Sequence, residues 1–190
     1  MVKVPAGDFQ SSVSSSKTHL DEFYIDEREV TQKEYVNVMG PHNFYWKQEN
    51  HPAEQVTWFK ARDYCKKVGK RLPTEEEWEK AAKAGSRTRY FWGNNPDASY
   101  VWFGGHYDEG HHPVGKKKPN AYGLFDTSGN VWEWTSTKVE VHSNVSSEKI
   151  KKQVARGGAF NVSANLVTST SRLLLYPKNR AFNVGFRCAK

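Results

Sequence analysis

The chain has 190 residues, enough for one domain with a full core or two small ones. It carries a formal charge of +7, 14% of its residues are aromatic, and its mean hydropathy is −0.81. No apolar run approaches membrane-spanning length, which argues against direct membrane insertion. The basic residues are scattered, with small clusters at Lys116-Lys117-Lys118 and around Lys149, Lys151 and Lys152 rather than a continuous stripe, which argues against a nucleic-acid partner.

Bulky aromatics in a polar sequence rich in Gly, Pro, Asn and Ser point to a loop-rich globule rather than a helical bundle. Met1–Pro5 lacks the apolar stretch of a signal peptide, so the reading is of a mature fragment whose targeting segment has been removed. Residues 1–28 read as strands, with alternation around Phe23 and Ile25 and a polar loop over Ser11–Ser16. Thr31 opens a helix, Glu34 completes a capping box, and Gly40-Pro41 ends it. Thr57 opens a second helix, in which Trp58, Ala61, Cys65 and Val68 share one apolar face. Thr74 caps a third over "TEEEWEKAAKAG": Glu77 returns the box, Trp78, Ala81 and Ala82 face inward, and Gly85 stops it. Residues 86–121 read as irregular. Strands resume at "GNVWEWT", give way to a polar loop over 136–152, and return from Val154 to the end.

Chemistry-bearing residues are few. Cys65 and Cys188 are either two thiols or one disulfide, which would be worth about 4–5 kcal/mol in the chain-entropy picture. His111-His112 is adjacent, without metal-ligand spacing, and reads as an exposed loop pair. Glu75, Glu76 and Glu77 read as negative charge at a helix N-terminus rather than an acid–base pair. There is no G-x-S-x-G elbow and no phosphate-binding loop.

The blocks "FYIDEREVTQKEY", "HPAEQVTWFKARDYCKKVGKRLPTEEEWEKAA", "YFWG", "NAYGLFDTSGNVWEWT", "ARGGAF" and "VGFRCA" follow one another in that order. Together they resemble the formylglycine-generating-enzyme, or sulfatase-modifying-factor, family across nearly the whole chain. The resemblance implies one α+β domain over 1–190 of C-type lectin-like fold, with two main helices, short twisted antiparallel sheets and much irregular loop. It also implies a disulfide between Cys65 and Cys188. The family's oxidases use two copper-binding cysteines after "RGG"; those positions are Val162 and Val167 here, and neither can ligate copper. The expectation is therefore a protein that is not an enzyme and needs no catalytic cofactor. A structural Ca2+ is implied at Asp126, Gly129, Val131 and Glu133, a donor set of carboxylates and main-chain oxygens that suits a hard cation. The family's other calcium loop is not recognisable in "DASYVWFGGHYDEG".

The tail has an unusual composition. Lys, Glu, Gln, Met and Trp make up 47 of the 190 residues, so Ala159–Val184 should hold about six of them; it holds only Lys178, and no Asp. Those five are the residues that adenine randomisation of AAC-type codons cannot produce. The tail thus resembles that of the variable proteins of diversity-generating retroelements, a non-catalytic branch with the same fold. That resemblance implies a variable ligand-binding region at 156–188, with side chains at Ala159, Phe160, Asn161, Ser163, Asn165, Leu166, Leu173, Leu175, Tyr176, Arg180 and Phe182. It further implies an exported, surface-displayed monomer that binds a protein ligand. The alternatives are a divergent enzyme of the family, which would have a pocket of titratable groups beside Val162, and an accessory module of a larger protein. Sequons at Asn144 and Asn161 matter only in a glycosylating host.

Overall fold

The three capping signals act where they stand in the sequence. In this computed structural model, which describes residues 1–14, 16–142 and 149–190, Thr31 and Thr74 each accept an N–H from the glutamate three residues on. Each glutamate returns the bond to the cap backbone. The resulting helices are α1 (Gln32–Met39) and α3 (Glu75–Lys83), with α2 (Trp58–Lys67) opened by Thr57 between them. Three helices of similar length replace the two that the family resemblance implies. In α3 the left-handed residue is Ala84 rather than Gly85 alone.

The N-terminal strands form two small antiparallel pairs. β1 (Val2–Val4) pairs with β4 (Phe23–Ile25), and β2 (Gly7–Phe9) pairs with β3 (Thr18–Leu20). The principal sheet has the order β7-β6-β5-β8, built from β5 (Trp132–His142), β6 (Lys149–Arg156), β7 (Arg172–Leu175) and β8 (Val184–Gly185). β8 runs parallel to β5 and the other pairings are antiparallel. The expected loop over 136–152 is corrected at 136–142 and 149–152, which are strand; residues 143–148 lie outside the described residues. β5 continues to His142 and pairs with β6 as far as Val141 against Ile150 and His142 against Lys149. Exposure alternates along Ser136–His142, the period of a ribbon with one half-covered face. The Asn144 sequon lies outside the described residues.

Continuous strand from Val154 onward is likewise corrected. Between β6 and β8 the chain is mostly turns, with a 3-10 turn at Ala164–Leu166 and the short β7. Leu173, Leu174 and Leu175 divide between the faces of β7, and Leu173 and Leu175 pack on the core.

The core forms where α1, α2 and the sheet meet. Tyr35 stacks on Tyr64 with ring centroids 5.7 Å apart, and Phe186 meets both rings edge-on. Trp134 is fully buried and donates its indole N–H to the Val56 carbonyl. Cys65 on α2 and Cys188 near the C-terminus are joined as a disulfide with Cα atoms 5.7 Å apart. The last residues then bridge to Arg71 and to β4, where Tyr24 and Lys190 exchange main-chain bonds.

Candidate functional site

The "RGG" segment is fixed by close packing. Gly157 and Gly158 have φ of 98° and 83°, and a Cβ on Gly158 would lie 2.4 Å from the Leu166 carbonyl oxygen. Arg156 is buried and donates to Glu75 and Glu79 on α3 and to the carbonyls of Ser169 and Thr170. Arg172 donates twice to the same Glu75. The glutamates at the start of α3 are thus more than terminal charge: Glu75 is buried and anchors two arginines of the tail.

From Gly158 the chain doubles back on itself. Ala159 and Phe160 are buried, which corrects their assignment to an exposed surface. Their side chains lie beneath the surface because the Phe160 N–H reaches the Asn130 carbonyl, drawing the segment inward. Asn161 is half-buried, and Ser163, Asn165 and Leu166 are exposed. Leu173 and Leu175 are half-buried, while Tyr176 (46% exposed) and Arg180 stand in solvent. The Lys152 ammonium lies over the Tyr176 ring. Phe182 is half-buried, and Asn183 donates to Asn161, which joins the two ends of the segment.

Main-chain oxygens hold this surface in place. Val162 and Phe160 carbonyls accept from Gly104 and Gly105, and Ala164 accepts from the Tyr90 hydroxyl. Pro177 and Ala181 carbonyls accept from Trp58 and Gln55. Of the side chains between these points, Arg172 and the Asn183–Asn161 pair add bonds of their own.

Sequence reasoning missed the aromatic groups that join the tail from other segments. Phe182 packs against Tyr107 at 4.9 Å, Trp46 at 5.5 Å and Tyr45 at 5.8 Å, and the Tyr45 and Tyr107 hydroxyls touch. Tyr45 and Tyr107 are about half exposed, at 49% and 50%. Below them Phe160 and His111 meet the Trp46 ring edge-on. His111 is buried rather than exposed, which corrects the loop-pair reading; its partner is His51, 60 residues away in sequence. His112 is half-buried and stacks on Trp102. Only the density of aromatics in Phe44–Trp46 and Trp102–Tyr107 hinted at this grouping.

Val162 and Val167 occupy the positions that the resemblance assigns to the copper-binding cysteines. Val167 is fully buried with Tyr90 and Val101, and Val162 packs against the same group. The neighbourhood is apolar. An open groove of about 440 Å³ lies between α1 and residues 41–49, among Gln32, Val36, His42 and Phe44.

Around Asp126 and Glu133 the buried carboxylates outnumber their cation. Glu133 pairs with the guanidinium of Arg187, Glu29 and Asp126 act on it from further away, and all four are buried. Burial first, then the neighbouring Asp126 and Glu133, holds the Glu29 carboxyl well above its usual range. Burial also raises Asp126, whose Oδ2 accepts the Gly115 N–H. Glu133 receives Arg187 Nε and Trp78 Nε1 on one oxygen and Arg187 Nη2 on the other, each at 2.7 Å. A Ca2+ here would be held by Asp126 and the Gly129 and Val131 main chain, with Glu133 shared with Arg187. Among the described residues, no three His, Cys, Asp or Glu side chains close on a single point as a metal-binding group.

Comparison with known proteins matches residues 1–190 to the family described as sulfatase-modifying factor enzyme 1-like domain. The chain is 35% identical over 174 residues to a formylglycine-generating enzyme of Mus musculus, covering 79% of this chain and 47% of that protein. It is 39% identical over 155 residues to an inactive C-alpha-formylglycine-generating enzyme 2 of Bos taurus, covering 73% and 50%. The chain therefore spans about half the length of these curated relatives. Among solved structures, Treponema denticola variable protein 1 superimposes with a TM-score of 0.85 at 27% identity, over 100% of this chain and 94% of the other.

Proposed function

The chain belongs to the sulfatase-modifying factor enzyme 1-like domain family, and from that premise we propose that it is a non-catalytic member, a variable protein that binds a protein ligand through its C-terminal region. Membership alone does not decide activity, because the family holds both formylglycine-generating enzymes and a relative named inactive. The observation that carries the reading is the way the tail is held. Its turns hang from main-chain carbonyls at Phe160, Val162, Ala164, Pro177 and Ala181, and from glycines that admit no side chain. Apart from the one bond that Asn161 accepts from Asn183, Asn161, Ser163, Asn165, Leu166, Tyr176 and Arg180 can then change identity without loosening the frame. That is what a surface diversified by codon randomisation requires. The apolar packing at Val162 and Val167 supports the same reading, since thiolates there are what copper chemistry would need.

The likeness to a variable protein over the whole chain adds to it. So does the absence of any Asp or Glu after Glu148, which leaves a surface of apolar, hydroxyl and basic groups able to meet an acidic protein partner. The disulfide suits an exported, surface-displayed protein. Half-exposed Tyr45 and Tyr107 extend the surface beyond the tail and offer rigid aromatic anchors of the kind that dominate binding hot spots.

The test is a display library randomised at those six positions on the otherwise intact chain. The reading expects most members to fold and specific protein binders to be selected from them. Loss of folding across the library, or oxidation of a substrate cysteine to formylglycine by the unaltered chain, would overturn it. The gene offers a second check: a nearby near-copy of the tail should differ from it at adenines. Structural Ca2+ at Asp126, Gly129 and Val131 is part of the proposal. Chelation should lower the unfolding temperature and added Ca2+ restore it, with D126N insensitive to both; identical melting with and without chelator removes the ion.

A further inference from the structure

We infer that the cleft between β2 and the C-terminal end of α3 binds a small oxyanion, a phosphate or sulfate ester carried on a ring. The inference goes beyond the ligand-surface reading, because the residues lining this cleft lie outside the tail. The cavity has a volume of about 570 Å³, within the range of small-molecule sites. Lys17, Lys80, Lys83 and Arg87 line it, and Asp8 is the one carboxylate among them. Asp8 is itself engaged, with Oδ1 3.0 Å from His19 Nδ1. Four cations from two distant segments, one before β3 and one at the end of α3, thus meet around a space that offers them a single carboxylate.

Lys80 sets the demand for an anion. It is only 8% exposed, and its ammonium donates to the Gly7 carbonyl at 3.0 Å. An ammonium has three donors, and among the described residues that carbonyl is its one partner. A buried cation with a single neutral partner is a costly arrangement that an oxyanion relieves. Lys83 adds to the demand. Its ammonium meets Glu79 Oε1 at 2.6 Å, but the other oxygen of Glu79 already takes Arg156, so one carboxylate serves two cations. Burial disfavours the charged form of Lys80, and Asp8 acts the other way.

The end of a helix ordinarily repels anions, because its last four carbonyls lack partners. In α3 all four are taken. The Lys80 and Lys83 carbonyls accept the N–H groups of Ala84 and Ser86, and Asn120 Nδ2 donates to the Ala81 and Ala82 carbonyls. The lysine ammoniums are therefore not the caps of this helix and remain available to the cleft. The loop after β2 is held from behind, since Ser12 gives its main-chain N–H and its hydroxyl to Glu79. Phe9 and Tyr122, both half-buried, supply an apolar part of the lining, which suits a ring beside the charged group. The several oxygens of a phosphate or sulfate let one ligand accept from more than one of the cations.

The test is calorimetric titration of the intact, disulfide-bonded chain with phenyl phosphate at low salt. Inorganic phosphate and benzyl alcohol serve as the two halves of that probe, and phosphatidylglycerol vesicles as a lipid-borne source of the same oxyanion. Phenyl phosphate should saturate one site, more tightly than inorganic phosphate, and benzyl alcohol should not bind. K80M should weaken binding by about tenfold or more, as the loss of one charge-assisted bond. K17Q with R87Q, both at exposed positions, should weaken it several-fold and leave the melting temperature unchanged. R180A in the tail should leave it unaltered, so this site and the ligand-surface reading fail separately. Vesicle binding that phenyl phosphate competes away would assign the oxyanion to a lipid headgroup and support the site. No saturable binding of phenyl phosphate, or binding that survives these cleft substitutions, overturns it. Equal affinity for inorganic phosphate overturns the ring, and vesicle binding without phenyl phosphate binding overturns the cleft in favour of a flat basic patch. If K80M does not fold, K17Q with R87Q decides the question.

Discussion

Arg187 shows how much a single side chain of the C-terminal "GFRC" block carries. It is fully buried, makes two bonds to Glu133, and donates to the carbonyls of Asp26, Glu27 and Phe125. Removing the guanidinium leaves Glu133, Asp126 and Glu29 as buried carboxylates with no arginine between them. R187M should therefore cost about 3–5 kcal/mol in urea denaturation, the range for breaking a buried ion pair from one side. Replacing both partners, as R187M with E133L, should recover a large part of that loss, because two well-packed apolar groups leave no uncompensated charge. A double variant as unstable as the single one would mean that the carbonyl bonds, not the ion pair, set the cost. The block was recognisable in the sequence as a motif. Its partners were not, since Glu133 lies 54 residues away and nothing local marks it as an anion's seat.

At the scale of elements, legibility followed how local the cause is. The capping boxes at Thr31 and Thr74 are decided within four residues and were read correctly. The outer half of the β5–β6 hairpin was read as loop although Lys138, Val139, Glu140, Val141 and His142 do alternate, because a two-stranded ribbon has no long apolar run to announce it. The burial of His111 depends on His51 and Glu54 and has no sequence signal at all. Within the tail, sequence composition located the segment but not the two faces of its turns. F160A should cost about 3–5 kcal/mol as a large core truncation, whereas S163A, N165A and R180A should each stay within about 0.5 kcal/mol, all by thermal unfolding. A costly Arg180 or Asn165 would show that the surface side chains hold the frame after all.

Glu54 sets a pH dependence, since burial raises its carboxyl against the pull of the Tyr45 and Trp46 N–H groups. A carboxyl raised to about 8 binds its proton more tightly in the folded chain than in the unfolded one, so its contribution is present at low pH and is lost as pH rises toward 8. The lowered His51 and His111 act in the opposite sense, costing stability as pH falls from about 6.5 toward 4. Between about pH 6.5 and 8 the Glu54 contribution falls with a slope of at most about 1.4 kcal/mol per pH unit, in the same sense as the raised Glu29 carboxyl, and comparison with E54Q isolates it. Denaturation series across that window should show E54Q gaining on the unaltered chain as pH rises. Parallel curves would place the Glu54 titration elsewhere.

The whole molecule is closed by one covalent link at its far end. Cys65 and Cys188 are 123 residues apart, and the loop they define contains α3, the principal sheet and the whole tail segment between β6 and β8. In the chain-entropy picture, a loop of that length removes about 5 kcal/mol of freedom from the unfolded chain. Val162, Val167, Leu173, Leu175 and Ala181 pack the tail inward, and its frame is further anchored at both ends: Arg156 and Gly158 on one side, Arg187 and Cys188 on the other. Both sulfurs belong to fully buried residues, which places reduction behind an opening of the fold. Opening the link by C65A with C188A should lower stability by about 2–5 kcal/mol, read by urea denaturation at one pH. The loss should be similar whichever residues occupy the five exposed tail positions, Ser163, Asn165, Leu166, Tyr176 and Arg180. On the proposed reading, a scaffold that accepts many tails benefits from stability that the exposed tail side chains do not supply, and a loss that varied widely with the tail would mean that those residues share in holding the fold.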